Sequence, residues 1–330
     1  MEQIMYFILF GLGLFMIIKG SDWFLDAVVW MAEVLRIPHI IIGATIVSLC
    51  TTLPETFVSV TAAFHGETDV ALGNAIGSIA VNTGLVLSLL LIFGRPKITQ
   101  KKDFIIKGLF LIFVMSLCWF FGLRFGQISQ RSGIVLICLL LFFLVFNVQL
   151  AKKSPTADLL THSHSKKNFI KNIGMFTVGI FLVVLGSHLL VHNGTAIAYL
   201  LGVPSIVIAL TMTSFGTSLP ELVTTIRALY KGVHDIGVGN IIGANTLNIV
   251  QVIGFSSLVA PIRMDHDPAI LRFQIPVALL LVCLTVLFGV SNKKRFRSSN
   301  GFMLLWVYCV YLAFSILREA TPILGWLVFS

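Results

Sequence analysis

Apolar runs of about twenty residues follow one another here with so little chain between them that a bundle of membrane-spanning helices is the one architecture left open. A span needs about 20 predominantly apolar residues, and the runs between charged or Gly/Pro breaks number ten: roughly 4–32, 38–65, 69–94, 104–123, 132–150, 169–200, 204–230, 235–260, 270–290 and 302–317. The 330-residue chain is 57% hydrophobic and only 11% charged, with a mean hydropathy of +0.97. A soluble domain would carry about a quarter charged residues, so the surplus belongs in lipid. Almost nothing remains for a soluble domain. The ending TPILGWLVFS is too short and too broken by proline to span, and reads as interfacial.

Lysine and arginine mark the orientation. The loops after spans 3, 5 and 9 read RPKITQKKD, KKSPTADLLTHSHSKKNFIK and NKKRFRSSN, whereas those after spans 2, 6 and 8 read HGETD, LGVP and RMDHDP. Arg124 and Arg131, after span 4, are the main exceptions. Basic loops stay on the cytoplasmic side, which with ten spans places both termini outside and the 151–168 loop in the cytoplasm. The net charge of +9 is then topological and calls for no nucleic acid. His162 and His164 read as polar linker. Cys50, Cys118, Cys138, Cys283 and Cys309 all fall in predicted spans without metal-ligand spacing and read as reduced packing residues. The start, MEQIMYF, lacks a basic region and a cleavage site, so the first span is expected to stay in the mature protein.

A second constraint is internal. Shifted by 166 residues, the chain aligns with itself without a gap, the mark of a structural repeat. Gly20 and Ser21 meet Gly186 and Ser187; Pro38, Thr45 and Ser48 meet Pro204, Thr211 and Ser214; Thr51, Leu53, Pro54 and Glu55 meet Thr217, Leu219, Pro220 and Glu221. Further on, Gly66, Asp69, Gly73, Asn74, Gly77 and Asn82 meet Gly232, Asp235, Gly239, Asn240, Gly243 and Asn248. The match is strongest at polar, Gly and Pro positions rather than in the apolar filler. This predicts a first five-helix repeat at 1–150, with its core motif at about 40–83, a basic linker at 151–168, and a second repeat at 169–330, with its motif at about 206–249. Five is odd, so the second copy enters the membrane from the other side. Such inverted repeats set corresponding sites face to face at the midplane, the arrangement secondary transporters use for alternating access.

The acid in each copy needs a reason, because a carboxylate at mid-membrane depth costs about 2.5–3.5 kcal/mol on insertion scales. Pro54 and Pro220 should break or kink spans 2 and 7, freeing carbonyls near Ser48 and Ser214 that an ion cavity can satisfy. Thr51, Thr52 and Glu55 share one helical face, as do Thr217, Ser218 and Glu221. In span 3, Asn74, Ser78 and Asn82 stack at i, i+4, i+8; in span 8, Asn240, Ala244 and Asn248 do. The inventory is all oxygen, with no Cys or His, which suits a hard cation such as Ca²⁺. Glu55 and Glu221 together carry two negative charges, which one Ca²⁺ or two monovalent ions neutralise. Competition for one set of ligands is a physical basis for exchange. Gly73–Gly77 and Gly239–Gly243 also fit close helix packing. Lys19 and Asp22, three apart, are expected to pair locally, and Asp69 and Asp235 to cap their helices.

These residues resemble the cation/calcium exchanger superfamily, specifically the prokaryotic sodium/calcium exchangers. The similar stretches are IIGATIVSLCTTLPETFVSVTAAF with GNAIGSIAVN, and IVIALTMTSFGTSLPELVTTIRALY with GNIIGANTLN. Gly216-Thr-Ser-Leu-Pro-Glu221 is the most specific motif, and the likeness covers nearly the whole chain. The resemblance implies an all-α polytopic fold of ten transmembrane helices in two inverted five-helix repeats, spans 2, 3, 7 and 8 forming a core across which spans 1 and 6 slide. It implies Glu55, Glu221, Thr51 and Thr217 as Ca²⁺ ligands, and Ser48, Thr52, Ser78, Asn82, Ser214, Ser218 and Asn248 as Na⁺ or shared ligands. Three positions depart from the family pattern. Cys50-Thr51-Thr52 stands for the usual Gly-Thr-Ser, Ala244 for a serine, and Asn248 for a frequent Asp. Neutral Asn248 argues against potassium dependence, and the missing hydroxyl at Ala244 bears on a three-sodium stoichiometry.

The expected function is Na⁺/Ca²⁺ antiport at the inner or plasma membrane, with Ca²⁺, Na⁺ and membrane lipid as partners and no resident cofactor. A proton-coupled Ca²⁺ exchanger is the nearest alternative, although the Gly-Asn-Ala-Val-Glu-His-type motif of that branch is absent. A Ca²⁺-permeable channel usually rings its pore with several acids, where this chain has one per half. No nucleophile–base pair or cofactor motif suggests an enzyme.

Overall fold

Helix α1 spans Glu2–Leu35, 34 residues, or about 50 Å at about 1.5 Å per residue, far more than the roughly 30 Å of a bilayer core. Such a helix has to tilt or project beyond the lipid. The computed structural model describes residues 2–35, 37–97, 100–153, 166–201, 215–264, 269–291 and 295–320. In these stretches α1 is followed by α2 (His39–Thr51), α3 (Leu53–Phe64), α4 (Thr68–Gly94), α5 (Lys101–Phe125) and α6 (Gln130–Lys153). The second half has α7 (Lys166–Leu200), α8 (Leu219–Tyr230), α9 (His234–Val259), α10 (Ile270–Ser291) and α11 (Ser298–Ala320). A two-residue ribbon pairs β1 (Gln127–Ile128) with β2 (Ile262–Arg263), tying the ends of α5 and α9 together. Helices overrun the predicted spans by a few residues at most ends, because a helix need not stop where lipid does.

The break in span 2 falls where expected. α2 and α3 meet at 44° across Thr52, whose φ of −83° and ψ of 1° leave the helical region. Pro54 then occupies the first turn of α3, where its missing N–H has no helical partner to lose. α8 opens identically: Ser218 has φ −83° and ψ 5°, and Pro220 fills the same slot. Most of the preceding part of span 7, including Pro204, Thr211 and Ser214, lies outside the described residues, as do His162, His164, most of the 151–168 linker and the ending TPILGWLVFS.

α4 and α9 form the buried centre, while α1, α5, α6, α7, α10 and α11 leave most of their apolar windows uncovered. Phe57, Phe64, Phe113, Trp306 and Leu123 are among the large apolar side chains pointing outward, as a lipid-facing surface requires. α1 and α7 cross through glycines: Gly13 lies against Gly186 and Gly20 against Gly179. A Cβ at any of the four would stand within 2.7–2.8 Å of the opposing backbone. The offset of 166 turns Gly13 into Gly179 and Gly20 into Gly186, so the crossing has the pseudo-twofold symmetry expected of inverted repeats. The turns after α3 and α8 match too, each needing a glycine at positive φ, Gly66 at 82° and Gly232 at 73°.

Three expectations need correction. Asp22 does not pair with Lys19, which is exposed; it pairs with Arg227 and Lys231 of α8. Asp69 and Asp235 are not caps but second residues of their helices, behind Glu67 and Val233, where a carboxylate favours the helix dipole. All five cysteines are free, but Cys138 and Cys309 are exposed, so they coat the outer surface rather than pack the interior.

Candidate ion-binding site

The breaks at Thr52 and Ser218 end in a shared polar chamber between α3, α4, α8 and α9. Glu55 and Glu221, one turn into α3 and α8, are fully buried. Each is reached from the opposite repeat. Ser218 Oγ donates to Glu55 Oε1 at 3.4 Å, and Thr52 Oγ1 donates to Glu221 Oε1 at 3.4 Å. The residue at each break thus holds the acid of the other half. The remaining oxygens, Glu55 Oε2 and Glu221 Oε2, are buried without a partner.

The same exchange recurs one position earlier. Thr51 Oγ1 donates to Asn240 Oδ1 at 3.2 Å, and Thr217 Oγ1 donates to Asn74 Oδ1 at 2.9 Å. Asn74 Nδ2 donates to Ser59 Oγ at 2.9 Å and, at 3.4 Å, to the backbone carbonyl of Glu55; Asn240 Nδ2 donates to Thr224 Oγ1 at 3.4 Å. These asparagines therefore brace each break against the helix beside it. Ser59, Thr224 and Thr225 were not singled out from the sequence, although Ser59 and Thr225 are repeat counterparts. The orphaned hydroxyl of Thr225 adds an oxygen near the Glu221 side.

Asn82 and Asn248 differ from Asn74 and Asn240. Both are fully buried, and neither their amide oxygens nor their amide nitrogens have partners. Each begins a π-helical turn, Asn82–Leu87 in α4 and Asn248–Ile253 in α9, a local widening often found at functional sites. A third such turn, Gly43–Val47, leads into Ser48. Ser48 Oγ donates to the Thr45 carbonyl at 3.1 Å, and Ser78 Oγ lies 3.4 Å from Thr217 Oγ1. Of the eleven candidate residues, all but Ser214 fall in the described stretches, and all of those except half-buried Thr217 are buried.

Buried polar atoms are ordinarily satisfied. Here two carboxylate oxygens and two amide oxygens without partners stand at symmetric positions in a protein that spans lipid. The donor set is oxygen throughout, and the neighbours are hydroxyls and carbonyls. A hard cation fits these orphans. Among the described residues, no group of three or more His, Cys, Asp or Glu side chains forms a tighter metal cage.

The close approach of the repeats rests on small residues. A Cβ on Gly239 would stand 2.4 Å from the Ile40 carbonyl oxygen, and one on Gly243 would meet Ser48 Oγ at 2.5 Å. The Gly239–Gly243 pair thus packs as expected, and it also brings α9 against the Ser48 side of the first break. One buried charge escaped the sequence reading: Lys107 of α5 is fully enclosed, its ammonium donating to the Ile40 carbonyl at 3.4 Å.

Comparison with known proteins agrees with this architecture. A family model described as "Sodium/calcium exchanger protein" matches residues 5–149 and again residues 171–317, starting points separated by the same 166 positions. The chain is 33% identical to "Inner membrane protein YrbG" of Escherichia coli (strain K12) over 94% of this chain and 96% of that protein. It is 26% identical to "Sodium/calcium exchanger MaX1" of Methanosarcina acetivorans over 93% of this chain and 97% of that one. Among solved structures, the sodium-calcium exchanger NCX_Mj soaked with 10 mM Na⁺ and 10 mM Sr²⁺ superposes with a TM-score of 0.82 at 27% identity, covering 94% of this chain and 98% of that chain. The fold is accordingly an all-α, multi-pass membrane architecture in two inverted repeats, with eight candidate spans among the described residues, or nine if the bent α2–α3 pair is one span. With both of its halves matched by the family's model, the chain belongs to the sodium/calcium exchanger protein family.

Proposed function

We propose that this protein is an antiporter that exchanges Na⁺ for Ca²⁺ through one shared midplane site and extrudes Ca²⁺ by alternating access. The observation that carries the reading is the pair of buried carboxylates, Glu55 and Glu221, each with one oxygen bonded across the repeat axis and one left unpartnered. Ca²⁺ would be held by Glu55, Glu221, Thr51 and Thr217. Na⁺ would draw on the same acids with Ser48, Thr52, Ser78, Asn82, Ser214, Ser218 and Asn248. Two charges on the site are balanced by one Ca²⁺ or by two Na⁺, so the occupied site is neutral with either ion and can cross between faces; the empty site cannot without exposing bare carboxylates to lipid. That rule couples the two fluxes. No bond is made or broken, so the protein acts as a carrier rather than an enzyme and needs no cofactor.

The two halves, 1–150 and 169–330, serve as inverted copies joined by the cytoplasmic 151–168 linker. The termini face outward, and the basic loops anchor the other face. Purified protein in liposomes loaded with Na⁺ should take up radiolabelled Ca²⁺ on dilution into Na⁺-free buffer. A pH gradient alone should drive none. Uptake with protons only would replace the sodium reading with proton coupling, and sustained uptake with no counter-ion would make the protein a channel.

A further inference from the structure

The two ends of the carrier are chemically unlike. At one, α1 is clasped to α8. Arg227 bonds Asp22 through Nε at 2.7 Å and through a second, shorter contact from Nη2; Lys231 Nζ bonds Asp26 at 2.5 Å and the Asp22 carbonyl at 3.0 Å. These groups lie at the last turn of α8, and α1 packs along that helix. At the other end, α7 makes no comparable packing against α3 among the described residues. An open crevice of about 470 Å³ lies along α3 on that side, lined by Phe57, Val58, Thr61 and Ala62 of α3 and by His65 and Glu67 of the turn after it, with no wall from α7.

The repeat says what would meet if that crevice closed as its counterpart has. The offset of 166 carries Asp22 to His188, Asp26 to His192, Arg227 to Thr61 and Lys231 to His65. Every charged member of the clasp is replaced, and three of the four replacements are histidines in a chain that has eight. His188 and His192 project together from one face of α7, their rings parallel within 11° with centroids 6.3 Å apart. A pair at i, i+4 on a helix is a spacing that holds Zn²⁺ in known sites. Both are exposed, as are Thr61 and His65, and in the present state the three imidazoles form no cluster among the described residues.

We propose that docking of α7 onto α3 assembles His188, His192 and His65 into a transition-metal site at the mouth of the crevice, so that a cation such as Zn²⁺ locks the carrier with that face shut. The proposal rests on the alternating movement described above. Neutral imidazoles are borderline ligands that suit Zn²⁺ rather than the hard transported ions, with water completing four-coordination. Because the metal finds all three nitrogens only in the docked state, it raises the population of that state by its differential affinity. The site is regulatory and stands apart from the carboxylate chamber.

The test uses the full-length protein with its five cysteines replaced by serine and spin labels at F64C on α3 and L185C on α7. Adding Zn²⁺ alone should shorten the label distance. In proteoliposomes it should slow exchange relative to each variant's own Zn²⁺-free rate. H65Q and the double variant H188Q/H192Q should each weaken both effects by about tenfold or more, since even second-shell partners of metal ligands are worth about 10–100-fold. An unchanged label distance would overturn the proposal. So would Zn²⁺ inhibition that both histidine variants retain, because the metal would then be acting at the carboxylates. The distance measurement needs no transport, so absence of Na⁺/Ca²⁺ exchange with an intact Zn²⁺ response would count against the transport reading and leave the metal site standing.

Discussion

The centre of the molecule and its helix ends treat the internal repeat in opposite ways. At the centre, hydrogen bonds come in symmetric pairs: Thr51 to Asn240 and Thr217 to Asn74, Thr52 to Glu221 and Ser218 to Glu55. At the ends, the acids and bases clasping α1 to α8 have histidines and a threonine as counterparts. The difference follows from what each region does in an alternating carrier. A midplane site has to hold the same ion from either face, so its two halves keep the same chemistry. The ends close at different moments and against different solutions, so nothing forces them to match. Even the centre has lapses. Gln251 Nε2 donates to Thr56 Oγ1 at 2.9 Å, which donates to the Thr52 carbonyl at 2.9 Å, while the counterparts of Gln251 and Thr56 are Leu85 and Leu222.

The hardest test of central equivalence is removal of either charge. Glu221→Gln should reduce exchange to the background of empty vesicles without preventing membrane insertion, and Glu55→Gln should do the same. Full transport in either variant would mean that the site is misplaced, and a large difference between the two would break the symmetry argument. The asparagine braces come next. Asn74→Ala or Asn240→Ala removes at least two side-chain hydrogen bonds, each worth about 0.5–1.5 kcal/mol, read as a lower unfolding midpoint in detergent. Asn74 makes the shorter bonds, at 2.9 Å against 3.2 and 3.4 Å, so its variant should be the less stable. The opposite order would show that bond length is no guide here.

The clasp should matter less. Asp22 and Arg227 are about a fifth and a quarter exposed, so water and salt screen the pair, and Arg227→Gln should free roughly 1 kcal/mol, or about a fivefold shift in the balance of states. A cysteine introduced next to the clasp, in the cysteine-free background, should react faster with a water-soluble thiol reagent in that variant. An unchanged rate would show that the ion pairs do not hold α1 to α8.

These contrasts also explain what could be read from the sequence. The centre was legible because most of its polar residues have a polar copy 166 positions away, and because Pro54 and Pro220 announce a break by removing a donor. The spans within the described residues were legible for the same kind of reason, since lipid imposes a length. The clasp was not. Asp22 lies 205 residues from Arg227, the partners have no charged counterparts, and Lys19 at a nearby helical spacing offers a false solution. Lys107 escaped because a cation close behind Lys101 and Lys102 at a span end looks like an interfacial anchor; only packing shows that α2 covers it. The division of labour between Asn74 and Asn82, one braced and one bare, likewise depends on which neighbours their helices face.

The finest test concerns the one hydroxyl missing from the symmetric set. Ser78 Oγ lies 3.4 Å from Thr217 Oγ1, and the offset of 166 puts fully buried Ala244 in the corresponding position beside Thr51. Ala244→Ser adds one heavy atom where the other half accommodates the same group, so packing should tolerate it. If the hydroxyl there completes a Na⁺ shell, its net worth of about 0.5–1 kcal/mol should move the Na⁺ concentration for half-maximal exchange down by about two- to fivefold, or steepen the Na⁺ dependence. Ca²⁺ dependence measured without Na⁺ should stay where it was, since the proposed Ca²⁺ ligands lie on α2, α3, α8 and the turn before α8, and not on α9. An unchanged Na⁺ curve would remove position 244 from the ligand set and leave Ser78 as a bracing hydroxyl for Thr217; a parallel change in both ions would mean that the substitution reshapes the whole chamber rather than one sodium position.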